Sequence, residues 1–196
     1  VAGKKQFDMD AALDAAMVQF WHAGYSDTSV DDLSRATGMN RSSIYSSFGD
    51  KDALFLRCLD RYAARYGEKY TAALSGADAE PVAAVRAFFD VTLERISDPA
   101  LPNGCLVAQS AMTVPVLSPA IAARAEEALG SQHQRLRAAL TSGRLTDREA
   151  DAFAVHVAAV NQSLAVMSRA GTSPAQLQAV VDVTIDALAK TLREHD

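Results

Sequence analysis

Two groups of residues in this chain carry side chains suited to recognition or to covalent chemistry. The run Arg41-Ser42-Ser43-Ile44-Tyr45-Ser46-Ser47 offers a guanidinium, several hydroxyls and one aromatic ring within two helical turns. Ile44 and Phe48 are four apart, so on a helix they share the inward face. Arg41, Ser42, Tyr45 and Ser46 are then left on the outer face. Such a helix fits the major groove, where Arg pairs with guanine and hydroxyls meet other base edges or phosphates. Lys51 begins the next predicted helix, where its charge and the free N–H groups make a phosphate clamp. The second group centres on Cys105, which follows Pro102-Asn103-Gly104. A cysteine at a helix N-terminus tends toward thiolate. With His133 or His156 as base it would be a thiol nucleophile, provided thiol and imidazole come within hydrogen-bond reach. No local signature brings them together, so no catalytic residue is assigned. An all-helical thiol-dependent enzyme using Cys105 stands as the alternative function.

The Arg41 run needs a frame that presents it. Ser29 can cap a helix carrying Val30 and Leu33, by accepting a free backbone N–H. Gly38 suits the left-handed end of that helix. Asn40 caps the helix from Arg41 to Ser47. Asp50 caps a third, and Ser34 is small where the first two must cross closely. The unit is a helix-turn-helix. Before it, Met9, Leu13, Ala16, Met17, Phe20 and Trp21 form one stripe of a helix from about Asp8 to Ala23. Trp21 reads as core.

After it, a long helix from Asp50 to about Leu74 carries Leu54, Phe55, Cys58, Leu59 and Tyr62 on one side. Cys58 lies within that stripe and reads as a small packed hydrophobe. Pro81 opens a helix with Val85, Phe88, Phe89, Thr92 and Ile96 in register. A shorter helix is expected from Cys105 to about Val114, and another from Ser118 to about Gly143. The last two run from about Asp147 to Ala170, with Thr146 and Glu149 as a capping box, and from Ser173 to Arg193. The fold class is therefore all-α, with about nine helices. Residues 1–50 are expected to form the three-helix DNA-binding domain and 51–196 a second helical domain. The helix from about 50 to 74 joins them.

The chain has 196 residues, 49% hydrophobic, with a net charge of −5. That supports a sizeable core and argues against indiscriminate nucleic-acid binding. A specific reader needs only a local basic patch. Up to Tyr62 there are seven basic groups against nine aspartates. Lys4, Lys5, Arg41 and Lys51 are therefore expected on one face, with most aspartates elsewhere. Asp31, near the start of its helix, would repel phosphate unless it points away. Two cysteines are too few for a disulfide scaffold. No Cys/His cluster has zinc spacing, and no metal or cofactor is expected. No charged-then-apolar leader and no bilayer-length apolar run is read, so the cytoplasm is the expected location.

The run GYSDTSVDDLSRATGMNRSSIYSSFGDKDALF resembles the N-terminal DNA-binding domain of the tetracycline-repressor (TetR) family. The resemblance covers about residues 7–62, through Gly24-Tyr25, Thr28-Ser29, Gly38, Tyr45, Phe48, Lys51 and Leu54-Phe55. It implies a transcriptional repressor. Arg41, Ser42, Ser43, Tyr45 and Ser46 would face the groove, and Thr28, Ser29, Ser47 and Lys51 would hold phosphates. Family members often carry His where this chain has Ser47. The resemblance also implies a homodimer, its two C-terminal helices pairing with their mates across a two-fold axis. Such a dimer reads a near-palindromic double-stranded operator. Finally it implies a pocket for a small-molecule inducer, for which Tyr66, Phe88, Phe89, Cys105, Gln109, Met112, His133, His156 and Asn161 are the candidates. The segment Gly104-Cys105-Leu106-Val107 resembles one in a branch that includes sensors of electrophiles and oxidants. A helical interaction module without DNA affinity is a third reading.

Overall fold

The structure, a computed structural model, describes residues 9–76, 80–141 and 144–195. It is all-α, as the periodicity predicts. The helices are α1 (Met9–Ala23), α2 (Val30–Thr37), α3 (Arg41–Phe48), α4 (Lys51–Leu74), α5 (Pro81–Ser97), α6 (Leu106–Met112), α7 (Pro119–Thr141), α8 (Asp147–Arg169) and α9 (Pro174–Arg193). A single 3-10 turn, Val114–Val116, separates α6 from α7. The expected basic arm at Lys4 and Lys5 lies outside the described residues.

Helices α1 to α3 pack around the first half of α4 and form the head. Each short helix is held by its own cap. Ser29 accepts from the Asp32 N–H, and the Asp32 carboxylate accepts from the Ser29 N–H, a reciprocal capping box. Gly38 ends α2 with φ +68°. Asn40 accepts from the Ser43 N–H and Asp50 from the Ala53 N–H. The Ser34 hydroxyl reaches the Met39 carbonyl at 2.5 Å, which fits the close crossing of α2 and α3. Trp21, Phe20, Phe55, Leu33 and Ile44 are buried in one core. Cys58 is there too, and burial pushes its thiol well above its ordinary pKa, so it is inert. Across the surface, Arg61 bridges α4 to Asp14 and Asp10 of α1.

The rest of α4 enters the body, where it packs against α5 and α7, while α8 packs on α7 and α9 on α5. Three details differ from the expectation. Cys105 is not the first residue of its helix but the extended residue before it (φ −140°, ψ 125°), and its side chain makes no capping bond. Helix α6 stops at Met112, because Pro115 has no N–H to give and disfavours helical backbone at the residue before it. A third difference concerns α8. It is long and apolar enough to cross a membrane by length and composition, although no bilayer-length run was read in the sequence. Its composition has two sources. Ala154, Val157, Leu164 and Ala165 face the bundle, while Val155 and Val166 stay exposed on the other side.

Candidate functional site

The outer face of α3 is built as the spacing dictates. Ile44 and Phe48 are buried. Arg41, Ser42, Tyr45 and Ser46 are exposed side by side, with Tyr45 showing 49% of its surface. Ser43 and Ser47 are half-buried.

The groups expected to hold phosphates are placed less uniformly. Ser29 is exposed, but its hydroxyl is engaged in the capping box with Asp32. Thr28 is fully buried, and its hydroxyl donates to the Gly24 carbonyl at 2.6 Å. Its side chain closes the turn after α1 and does not face solvent, which corrects the expectation of a phosphate contact there. Lys51 is half-buried, with its ammonium 4.3 Å from the centre of the Tyr25 ring. Burial lowers its pKa. The Tyr25 hydroxyl in turn donates to Asp52, and burial together with that carboxylate pushes Tyr25 up to about 12.

Among the described residues, the expected separation of basic groups from aspartates is not seen beside α3. Asp31 does not point away from α3. It takes Arg41 in a two-pronged ion pair, 2.6 Å from Nε and 2.5 Å from Nη2. The Arg41 guanidinium holds the Asp31 carboxyl below its ordinary range. Arg35 is paired with Asp32. Each of these cations is thus held by a carboxylate of α2. The fork that grips Asp31 has the shape that grips guanine or phosphate.

In the body, a cavity of about 250 Å³ opens between α4, α7, α8 and the start of α6. Of the nine candidate lining residues, Tyr66 and Cys105 are on its wall. The other seven are placed elsewhere. Phe88 and Phe89 are fully buried core, against Tyr70 and each other. Asn161 is buried in a polar chain in which the Thr92 hydroxyl donates to its Oδ1 at 2.5 Å and meets the Tyr70 hydroxyl at 2.8 Å. Gln109 lines a smaller cavity between head and body, with Gly24, Tyr25 and Phe55. Met112 is 62% exposed. His156 is exposed on α8, at 3.4 Å from the Thr184 hydroxyl. His133 is half-buried on α7. Neither histidine lines the cavity that holds Cys105, so the thiol–imidazole pair of the enzyme alternative is not assembled. No group of His, Cys, Asp and Glu able to hold a metal ion occurs among the described residues.

Two residues missed by sequence reasoning tie head to body. Arg169, in the last turn of α8, donates to the Trp21 carbonyl at 3.1 Å and the His22 carbonyl at 3.2 Å. Those are orphan carbonyls of the α1 C-terminus, where positive charge is favoured. It also meets the Gln109 side chain and the Asn103 carbonyl. Arg95 is 3% exposed and donates to the Gly104 carbonyl. Its guanidinium lies 5.8 Å from the Trp21 ring centre and 5.5 Å from that of Tyr66. The signal for Arg95 was present: it sits three residues after Thr92 and seven after Phe88, on the buried stripe of α5.

The description "Bacterial regulatory proteins, tetR family" fits residues 12–58, and "Tetracyclin repressor-like, C-terminal domain" fits residues 81–184. Among curated relatives, the HTH-type transcriptional repressor ComR of Escherichia coli (strain K12) is 36% identical over 110 residues. That match spans 56% of this chain and about half, 52%, of ComR. The uncharacterized HTH-type transcriptional regulator YezE of Bacillus subtilis (strain 168) is 26% identical over 190 residues, covering 94% of this chain and 97% of YezE. Among solved structures, a cysteine mutant of the TetR family regulator CifR, complexed with 26bp double-strand operator DNA, superposes with a TM-score of 0.81. It is 28% identical, over 94% of this chain and 98% of that one. Reduced NemR of E. coli, 19% identical with a TM-score of 0.73 over 89% and 93% of the two chains, shares the fold.

Proposed function

Because the chain belongs to the TetR family of bacterial regulatory proteins, we propose that it is a homodimeric transcriptional repressor, released from a near-palindromic operator by a small molecule. It is a regulator and not an enzyme. The observation that carries the reading is the exposed face of α3, where Arg41, Ser42, Tyr45 and Ser46 stand together on a helix capped at Asn40. A DNA reader works in the cytoplasm, with the genome. Residues 1–50 are the reading head and 51–196 the sensing and pairing part, with α4 shared between them. The inducer acts by binding the non-DNA form better, since a ligand shifts an equilibrium only by its differential affinity.

The test is binding of the purified protein to the DNA flanking its own gene, by fluorescence anisotropy, against random DNA at equal salt. Selective binding with two protomers per site is expected. Arg41→Ala lowers discrimination, by the ~1–3 kcal/mol that a bidentate base contact supplies. Lys51→Ala weakens both DNAs alike and flattens the salt dependence. Asp31→Ala frees the Arg41 fork and removes a negative charge, so it tightens binding to any DNA. Operator binding no better than random, or identical behaviour of the Arg41 and Lys51 variants, refutes this division of roles.

Cys105 supports a second route to release. It stands half-buried on the cavity wall, so thiol-reactive electrophiles that enter the cavity meet it. Cys105→Ser is expected to abolish DNA release by such compounds while leaving operator affinity unchanged. Release that persists in the variant rules the thiol out.

A further inference from the structure

The cavity between α4, α7 and α8 is lined by groups whose hydrogen-bonding capacity the protein leaves unused. The Tyr62 hydroxyl is buried, and no acceptor lies in hydrogen-bond geometry around it, although the Cys105 thiol is a near neighbour. Gln162 donates to Gln132 at 3.0 Å, but its own Oε1 is buried without a partner. A buried hydroxyl or amide left unpaired is costly, so native structures rarely keep several at one site unless something else satisfies them.

Arg95 stands directly behind this wall. It gives Nη1 to Gly104, while Nε and Nη2 are buried without partners. Its strongest electrostatic neighbours are Tyr62, Tyr70, Cys105 and Tyr66, and all four line the cavity. The aromatic faces of Trp21 and Tyr66 soften the burial of the charge. No carboxylate partner is present for it among the described residues.

The charges on the wall itself are uneven. Two carboxylates line the cavity, Asp60 and Glu127, and Arg124 engages both, at 2.5 Å and 3.5 Å. Arg135 also lines the cavity and has no carboxylate partner among the described residues. It extends over Gly67, where a Cβ would stand 3.2 Å from its Nη2, so the missing side chain leaves it room. On the Arg124 side two carboxylates share one guanidinium, so it carries a net negative charge and repels an anion. The other side presents Arg135, the Tyr62 hydroxyl and the field of Arg95, with tyrosine rings between them.

The geometry points to a small aromatic carboxylate as the ligand of this cavity, its acid group accepting from Tyr62 and set between Arg135 and Arg95. The volume, about 250 Å³, is near the lower end of small-molecule sites and suits one or two rings. This ligand class rests on the regulator reading only in making the ligand an inducer; binding itself does not depend on it.

Calorimetric titration of the purified full chain with benzoate, cinnamate and indole-3-acetate, each against its primary amide, tests the assignment. At least one acid is expected to bind about tenfold or more tighter than its amide, as for a charge-assisted hydrogen bond. Arg135→Ala cuts acid affinity about tenfold and leaves the amide unchanged. Arg95→Gln does the same. If that variant melts early, Tyr62→Phe takes its place, since it removes one hydroxyl and keeps the packing. Acids and amides binding alike, no acid binding at all, or a preference that survives these substitutions overturns the assignment. Operator binding by the same preparation separates the two claims. Selective DNA binding without acid preference leaves the regulator and removes the ligand class; acid preference without DNA selectivity does the reverse.

Discussion

Gly104→Ala is expected to destabilise the protein by about 3–5 kcal/mol, a large share of the ~5–15 kcal/mol that holds a typical fold. Gly104 has φ +93°, where an L side chain costs roughly 1–2 kcal/mol by itself. It is also wedged. A Cβ there would stand 2.6 Å from Cδ and 2.7 Å from Cγ of Arg169, and 3.4 Å from the Ala165 carbonyl. Those Arg169 atoms lie mid-chain, so moving them carries the guanidinium off the carbonyls of Trp21, His22 and Asn103. On the other side, Gly104 donates its N–H to the Ser168 hydroxyl at 3.2 Å, and its carbonyl accepts from Arg95. The loop cannot retreat without breaking those. Gly38→Ala is the control. Its φ is +68° with nothing within 4 Å, so only the backbone cost of about 1–2 kcal/mol applies. Urea unfolding of the two variants measures the difference. Equal losses would mean that Arg169 moves freely and that the clasp on α1 contributes little.

That clasp also marks where the sequence stopped being readable. The caps at Ser29, Asn40, Asp50, Thr146 and Ser173 are local, each closed within three residues, so the helix starts could be read directly. The inward and outward faces of α3 follow from spacing alone. Arg169 meets Trp21 across 148 positions of chain, and nothing near Arg169 distinguishes it from a solvated charge at a helix end. Arg41 and Asp31 were each placed near the DNA-facing surface, but their pairing depends on the angle between α2 and α3, which spacing does not encode. Thr28 shows the reverse error. The family resemblance assigns its hydroxyl to phosphate, and only the turn at Gly24 reveals that it is already bonded. In the body, the candidate lining residues were chosen by chemical type. Large aromatics such as Phe88 and Phe89 fill a core, whereas a cavity persists where side chains are small, as at Ala63, Ala64 and Gly67.

Val183→Asp is expected to turn the protein into a monomer and to lower operator affinity by about 10²–10⁴-fold. The reasoning starts from two exposed stripes. On α9, Ala175, Ala179 and Val183 recur every four residues and face solvent, Val183 with 70% of its surface. On α8, Ala152, Val155, Ala159 and Val166, spaced three, four and seven apart, share one exposed face, with Val155 at 58% and Val166 at 46%. Small apolar side chains on two neighbouring helices let another helix pair approach closely, and burying such a face is favourable. A two-fold axis through it brings each stripe against its own copy. Aspartate at 183 would then bury a charge on each protomer with no cation to meet it. In the monomer the same side chain sits in water, so the stability of one chain should change by only about 0.5 kcal/mol. A dimer holds its second recognition helix over the second half-site once the first is bound; a monomer must bind each half-site independently, and that lost effective concentration sets the size of the effect. Val116→Asp serves as the comparison, since Val116 is 67% exposed but lies on the 3-10 turn, away from both stripes. Sedimentation and anisotropy on the two variants decide the matter. Loss of dimer and operator binding in the Val183 variant alone assigns the interface to α8 and α9, whereas a Val183 variant that stays dimeric at full affinity means the protomers pair through a different surface.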